Sequence, residues 1–298
     1  MLQYAEKKSG LNSFVILFFI FSIVVDLFVW KQVVYGKISG EARIYFLDVG
    51  QGDAELIIFP GNVKILTDAG PDSKILGQLE KIPQLADKYI DLAVISHPQL
   101  DHFNGFRYLT DRYRFGAFIY NGRSDSANVQ EWPDLIGKIK KNNIPLVKFG
   151  AGDRIKYRTG KIDFLSPNAG LSQSAELNDT GLVELVESGG IKALFTADID
   201  SITENYLSSN FDIRADILKV AHHGSKYSSS AAFLKTVSPK VAVIGVGARN
   251  NYGHPTPETL KKLSALAAVF RTDQNGMITA SVNGNKLVIF TEKQPPPQ

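Results

Sequence analysis

The chain carries five histidines, His97, His102, His222, His223 and His254, all in short polar segments just after apolar runs or inside glycine-rich loops. The first cluster, Ser96-His97-Pro98-Gln99-Leu100-Asp101-His102, follows the apolar run 92–95, and a loop this tight holds His97, Asp101 and His102 in one small volume. Imidazole and carboxylate together suit zinc or manganese. There are no cysteines, so any metal must be held by His, Asp or Glu. Asp198 ends another apolar run, and its two oxygens could bridge two cations about 3.5–4 Å apart. His222-His223-Gly224-Ser225 follows the run 217–220. Neighbours on an extended chain point in opposite directions, so one of this pair ligates while the other supports it or touches substrate. His254 lies in Tyr252-Gly253-His254-Pro255, just before a helix. Plainer roles compete with these: Asp101 as a turn cap, Asp198 as a helix N-cap, His254 as a loop-stabilising donor.

These side chains need a scaffold of strand ends. Strands are expected at 44–47, 56–59, 63–67, 92–95, 117–120, 146–147, 154–157, 162–165, 182–187, 191–196, 217–220, 241–244, 277–282 and 286–290. Turn residues make hairpins of 56–59 with 63–67, of 182–187 with 191–196 around Ser188-Gly189-Gly190, and of the last two strands around Asn283-Gly284-Asn285. Helices are expected at 74–81, from Asn104, and at 257–268, where Leu260, Leu263 and Leu266 form one stripe. Strands alternating with helices, several of them paired as hairpins, predict a mixed-sheet, layered α/β domain.

Several ordered motifs together resemble a known family. His97-x-Gln99-x-Asp101-His102 looks like the HxHxDH signature of the metallo-β-lactamase superfamily, and Leu66-Thr67-Asp68-Ala69-Gly70 resembles its upstream Asp-Gly motif. Phe46-Leu47-Asp48-Val49-Gly50-Gln51-Gly52-Asp53-Ala54 resembles the opening of the hydrolase domain of the competence DNA-uptake channel family, ComEC. Asn178-Asp179, Thr196-Ala197-Asp198, the segment Lys219 to Ser225 and Gly253-His254-Pro255 are similar to that branch too, so the resemblance covers 43–290. It implies an αβ/βα four-layer sandwich with one or two divalent ions, Zn or Mn. His97 falls at one metal position and Asp101 with His102 at the other. Asp198 bridges, and one of His222 and His223 completes the second position. Asp68 orients a ligand, while Asp48 and Asp53 support the site or face substrate.

Two residues depart from the pattern. Gln99 stands where the superfamily has His, and Asn178 stands where many members have another ligand histidine. An amide oxygen is a poor ligand beside imidazole and carboxylate. The expectation is a strong site on Asp101, His102, Asp198 and His223, with a weak or empty position around His97.

The implied activity is hydrolysis of a phosphodiester in DNA, with single-stranded DNA as substrate. Lys226 or the Ser225 hydroxyl would stabilise charge on the phosphate, and His254 would protonate the leaving group or bind the phosphate. Lys219, Lys226, Arg249 and Arg271 would make a positive mouth, although a net charge of +3 does not itself argue for nucleic acid. A non-catalytic module that binds nucleic acid or a partner is the competing reading, motivated by Gln99 and Asn178. An enzyme acting on another ester, thioester or lactam is a third.

At the N-terminus, 11–30 reads as a transmembrane anchor of about 30 Å, preceded by a tail at 1–10 and followed by a stalk at 31–42. Asp26 lies near the interface, and a cleaved signal peptide is the lesser alternative. The hydrolase domain is expected at 43–291, ahead of a disordered tail at 292–298. Lysines flank the anchor on both sides, so the extracytoplasmic placement of the domain follows from the resemblance. One spanning segment cannot make a pore, which leaves a DNA-uptake channel as a candidate partner.

Overall fold

The computed structural model describes residues 13–35, 41–124, 129–284 and 286–294, without the side chains of 13 and 30–35. It divides into two units, Met1–Gly40 and Glu41–Gln298. The described part of the first unit is one helix, α1 (Ser13–Tyr35). Of the loop-like stalk expected over 31–42, positions 31–35 continue the helix through Tyr35, and positions 36–40 lie outside the described residues. Positions 1–12, including the expected tail and the first two residues of the expected anchor, lie outside the described residues. Side chains are described over 14–29, about 24 Å of helix against about 30 Å of hydrocarbon. Among the described residues no helix is long and apolar enough to cross a membrane.

The second unit contains β1 (Arg43–Phe46), β2 (Glu55–Phe59), β3 (Val63–Thr67), β4 (Tyr89–Ile95), β5 (Arg114–Tyr120), β6 (Leu146–Lys148), β7 (Arg154–Tyr157), β8 (Gly160–Ser166), β9 (Val183–Ser188), β10 (Ile191–Phe195), β11 (Ile217–Lys219), β12 (Val241–Ile244), β13 (Ala268–Arg271), β14 (Ile278–Asn283) and β15 (Lys286–Thr291). One sheet has the order β15-β14-β1-β2-β3-β4-β5-β6, the other β13-β12-β11-β10-β9-β8-β7. Both are mixed: β3 to β6 run parallel in the first and β10 to β13 in the second, with antiparallel strands completing each.

Period-two alternation along the strands builds three apolar layers. On β3 and β4, Leu66, Ala93 and Ile95 face outward against α2 (Lys74–Leu79), α3 (Leu100–Leu109) and α4 (Glu131–Lys141), which bury Leu79, Phe103, Phe106, Trp132, Leu135 and Ile139. Ile65 and Val94 face the other way and meet Phe164, Val186, Phe195 and Ile217 between the sheets. Leu194, Leu218 and Ile244 then pack beneath α5 (Ser201–Asn210), α6 (Ala231–Val237) and α7 (Pro257–Ser264). The result is a sandwich of two mixed sheets with helices on both outer faces. Asp200, Ser230 and Thr256 cap the three helices of the second sheet through their side-chain oxygens. A last short helix, α8 (Thr272–Asn275), follows β13.

Several boundaries differ from expectation, three of them by more than a few residues or with a consequence for the site. The helix expected from Asn104 starts at Leu100, which places Asp101 and His102 in its first turn rather than in a loop. The helix expected over 257–268 stops at Ser264, because the chain returns to the sheet as β13. The tail expected to be disordered from 292 is tied down at its start: Glu292 accepts from Lys81 Nζ at 2.9 Å, and Lys293 donates its backbone N–H to Asn275 at 2.8 Å. Positions 295–298 lie outside the described residues.

One polar contact joins the sheets through the core. Thr67 Oγ1 on β3 lies 3.0 and 3.2 Å from the two carboxyl oxygens of buried Glu184 on β9. Burial pushes the Glu184 carboxyl up to about 8, against the hydrogen bond from Thr67 and helped by the charge of Asp68. The folded state therefore keeps a proton that the unfolded chain loses near pH 4.5. Stability from this group is complete below that pH and is lost progressively as pH rises to about 8. Glu184→Gln, which keeps an acceptor for Thr67, should raise the melting temperature by about 5 °C at pH 8 and leave it nearly unchanged at pH 4.5. An equal shift at both pH values in thermal denaturation would show that the carboxyl is not the source.

Candidate metal centre

The parallel strands of both sheets end at one edge, and there the chain turns sharply. Asp68 follows β3, His97 follows β4, Asp198 follows β10 and His222-His223 follow β11. Four residues at these turns have left-handed backbones, Asp68 (φ 55°), Ala197 (φ 45°), His222 (φ 49°) and His223 (φ 52°). Such conformations persist where surrounding contacts over-determine them. Here Asp68 donates its N–H to Val94 at 2.8 Å, and His222 donates its own to Ala197 at 3.0 Å. Close packing of α3 completes the edge. A Cβ on Gly105 would lie 1.9 Å from the Ala69 carbonyl oxygen, so only glycine lets the helix approach the loop that carries Asp68.

Asp101, His102, Asp198 and His223 each present a ligand atom within 4.8 Å of the other three. The approaches are His223 Nε2 to Asp101 Oδ2 at 3.2 Å, His102 Nε2 to Asp198 Oδ2 at 3.3 Å, His223 Nε2 to Asp198 Oδ2 at 3.6 Å and His102 Nε2 to Asp101 Oδ1 at 3.9 Å. Ligands at about 2.0–2.1 Å from a tetrahedral ion stand about 3.3–3.4 Å apart, so these separations fit a divalent cation. The far side of each ring fixes which nitrogen faces inward. His102 Nδ1 donates to Asp68 Oδ2 at 2.7 Å. His223 Nδ1 donates to the Gly245 carbonyl at 2.8 Å. Both Nε2 atoms are thus directed at the carboxylates. His102 Nε2 and Asp198 Oδ1 are buried with no hydrogen-bond partner among the described residues, as expected of atoms that await a cation.

The electrostatics point the same way. Burial opposes charge on His102, but Asp198, Asp68 and Asp101 outweigh it and hold the imidazole well above its ordinary pKa. Burial is likewise outweighed at His223, by Asp198, Asp53 and the Asp101 bond. Burial would raise Asp198, but His223 and His102 pull it well below the carboxylate range. The carboxylates that hold protons on these rings also attract a divalent ion in their place.

Asp68 is held by three donors: the Ser96 N–H at 2.9 Å, the Ser96 hydroxyl at 2.6 Å and His102. Because the Ser96 proton goes to Asp68, His97 Nδ1 donates to Ser96 Oγ at 2.9 Å, and its Nε2 is left as a buried lone pair without a partner. Burial and the neighbouring His102 push His97 down to about 4. Its other neighbours serve a cation poorly. Gln99 Nε2 donates to Asn178 Oδ1 at 2.5 Å, and Asn178 Nδ2 turns toward His222 Nδ1 at 3.4 Å. The two amides bond to each other and to a ring nitrogen.

The adjacent histidines both reach Asp198, with His222 Nε2 at 3.8 Å. The expected opposition of their side chains fails because the backbone is left-handed here, not extended. Asp53 lies behind His223, its Oδ1 at 3.3 Å from Nδ1 and its Oδ2 in an ion pair with Lys219 Nζ. Lys219 is therefore buried support rather than part of a basic mouth, and Arg271 is paired with Asp273. Asp48 stands away from the cluster in an ion pair with Lys293 at 3.2 Å. His254 stands at the rim, its ring 5.6 Å from that of His222. The two groups expected to stabilise phosphate, Lys226 and Ser225, are differently placed. Lys226 is exposed with its ammonium 5.0 Å over the Tyr227 ring, and buried Ser225 turns its hydroxyl into its own loop, accepting from the Tyr227 N–H. Sequence reasoning missed Ser96 and the Gly245 carbonyl as the groups that orient histidines. The competing plain role for Asp198, a cap on the next helix, is taken by Asp200 instead.

A cavity of about 660 Å³ opens beside Asp101, walled by Gln51, Pro71, Lys74, Leu100, Arg249 and Tyr252 among others. The sequence matches the family model described as the metallo-beta-lactamase superfamily over residues 47–247, and the chain belongs to that superfamily. Among curated proteins it is 28% identical to ComE operon protein 3 of Bacillus subtilis (strain 168), covering 82% of this chain and 34% of that protein. It is also 28% identical to competence protein ComA of Neisseria gonorrhoeae, covering 80% and 32%. The chain thus spans about a third of the length of these curated relatives. A solved structure with the same fold is CmlA, a diiron beta-hydroxylase from Streptomyces venezuelae, with a TM-score of 0.52 at 11% identity, covering 82% of this chain and 54% of that one.

If the Gln99–Asn178 pair weakens one of two positions, metal analysis of the full chain in detergent should find one tightly held cation. Replacing both, as Gln99→His with Asn178→His, should raise this to two. Two tightly held ions in the unaltered protein would overturn the assignment.

Proposed function

We propose that this chain is a metal-dependent phosphodiesterase that cleaves DNA. The observation that carries the proposal is the convergence of Asp101, His102, Asp198 and His223 beside an open cavity, with His102 Nε2 and Asp198 Oδ1 buried and without a hydrogen-bond partner among the described residues. A divalent ion held there supplies Lewis acidity to a phosphoryl oxygen and lowers the pKa of water toward neutrality. The chain's own residues do the rest. Asp68 and Gly245 lock the two rings so that Nε2 of each faces the centre. His254, whose Nδ1 has no partner and whose pKa is lowered by burial and by His222 and His223, is a neutral imidazole at the rim that can hold or pass a proton at the leaving group. DNA as the polymer is supported by the family resemblance and by the competence proteins among the relatives.

Membrane attachment through 11–30 belongs to the same proposal. Its support is the apolar sequence of that stretch and the exposed Phe14, Leu17, Phe18, Phe21 and Phe28 on helix α1. By the same resemblance the domain faces outward, where an uptake channel would be its partner. A binding module without catalysis is the second reading, favoured by the Gln99–Asn178 bond at a position where a ligand is usual in the superfamily.

With Mn²⁺ or Zn²⁺, the full chain in detergent should cleave single-stranded DNA. Chelation should abolish cleavage and metal re-addition should restore it. The Asp101→Ala, His102→Ala variant should lose at least about a hundredfold in rate, the scale expected when metal-supported chemistry is removed. DNA binding without cleavage under either metal would favour the binding module instead.

A further inference from the structure

The cavity beside Asp101 has features that the metal centre leaves unused. Tyr252 stands on its wall with 70% of its surface exposed, large for an aromatic ring on a folded domain. The ring is presented rather than loose, because Asn250 ties the loop together. Its Oδ1 accepts the N–H groups of Tyr252 at 3.2 Å and His254 at 3.0 Å, and its Nδ2 donates to the carbonyls of Gly247 at 2.9 Å and His254 at 2.7 Å. One face of Tyr252 stacks on His254, with centroids 6.0 Å apart and planes at 25°. His254 leads to His222, 5.6 Å away, and His222 to Asp198. A line of rings thus runs from the cavity wall to the candidate metal centre.

The cavity also holds two cations that the protein does not neutralise. Among the described residues, Lys74 and Arg249 are exposed and neither forms an ion pair, whereas Lys293 and Arg271 on the same side are matched by Asp48 and Asp273. An exposed aromatic face beside unmatched cations recognises a planar base followed by a phosphate. The cavity, at about 660 Å³, is within the size range of small-molecule sites.

We propose that this cavity is a subsite for one unpaired nucleotide next to the cleaved phosphate. The outer face of Tyr252 stacks on the base, and Arg249 with Lys74 takes the adjoining phosphate. The inference rests on the phosphodiesterase reading and adds a reason for single-strand preference, since a base paired inside a duplex shows no face to Tyr252.

The test is binding of a fluorescent oligothymidylate to the full chain in detergent, read by anisotropy, with cleavage followed on the same samples. Tyr252→Ala should weaken single-strand binding about tenfold, Tyr252→Phe should retain it, and binding of a duplex of equal length should change little in either. Lys74→Ala with Arg249→Ala should flatten the slope of log Kd against log salt by about 0.7 for each phosphate that is no longer neutralised. Unchanged binding by Tyr252→Ala, or equal weakening for single and double strands, overturns the subsite even if cleavage proceeds. Tyr252-dependent binding without cleavage in any metal sustains the subsite and overturns the phosphodiesterase reading alone.

Discussion

Concentrated negative charge at one edge of the sandwich is the constraint on which the remaining structure depends. Asp101 and Asp198 meet the Nε2 atoms of His102 and His223 at 3.2–3.9 Å, with Asp68 and Asp53 behind the rings. Buried carboxylates this close are tolerable only with positive charge among them, either protons on the two rings or a divalent ion in their place. The surroundings limit how much charge must be matched. Buried Lys219 offsets Asp53, and burial with the nearby Asp53 charge pushes the Glu55 carboxyl well above its ordinary pKa, which disfavours a further negative charge there. The net attraction is left at the four inward-facing ligand atoms.

Convergence of this kind requires two sheets. Each contributes parallel strands whose C-terminal ends reach the same edge, and each supplies part of the ligand set: Asp101 and His102 follow β4, Asp198 and His223 follow β10 and β11. Neither half can close the centre alone. The inter-sheet layer of Ile65, Val94, Phe164, Phe195 and Ile217 therefore positions ligands as well as stabilising the fold. Left-handed turns at Asp68, Ala197, His222 and His223 then aim side chains that regular strands would direct elsewhere.

The convergence of Asp101, His102, Asp198 and His223 was legible in the sequence because strand ends, a compact His-x-Gln-x-Asp-His run, a scarcity of histidine and the family resemblance all narrowed the choice. Strands were read better than helices. Short apolar runs flanked by turns announce themselves, while α4 was passed over although its Trp132, Leu135 and Ile139 have helical spacing. Groups that act through the backbone were invisible: nothing in the residue type of Gly245 signals that its carbonyl orients His223. Lys219 misled because a lysine is ordinarily on the surface. Its place inside the apolar run Ile217-Leu218-Lys219-Val220 was the available signal that it is buried against a carboxylate. The opposed side chains expected of His222 and His223 failed for a conformational reason, since two left-handed residues in a row carry both rings to Asp198.

The two sides of Asp198 are unequal in a way that bears on how substrate approaches. On one side stand His97, a neutral imidazole, and two amides engaged with each other. The attraction there for a cation comes chiefly from Asp198 itself, since an amide dipole adds little to a full charge. On the other side stand Asp101 and the two locked histidines, and the open cavity adjoins Asp101 rather than His97. Charge and access therefore coincide. If the chain acts on a phosphodiester as proposed, a phosphate entering from the cavity would meet the Asp101 side first, with Lys74 and Arg249 available to offset the carboxylates it must pass. In this arrangement the weaker position can be lost to Gln99 and Asn178 without closing the route to the stronger one.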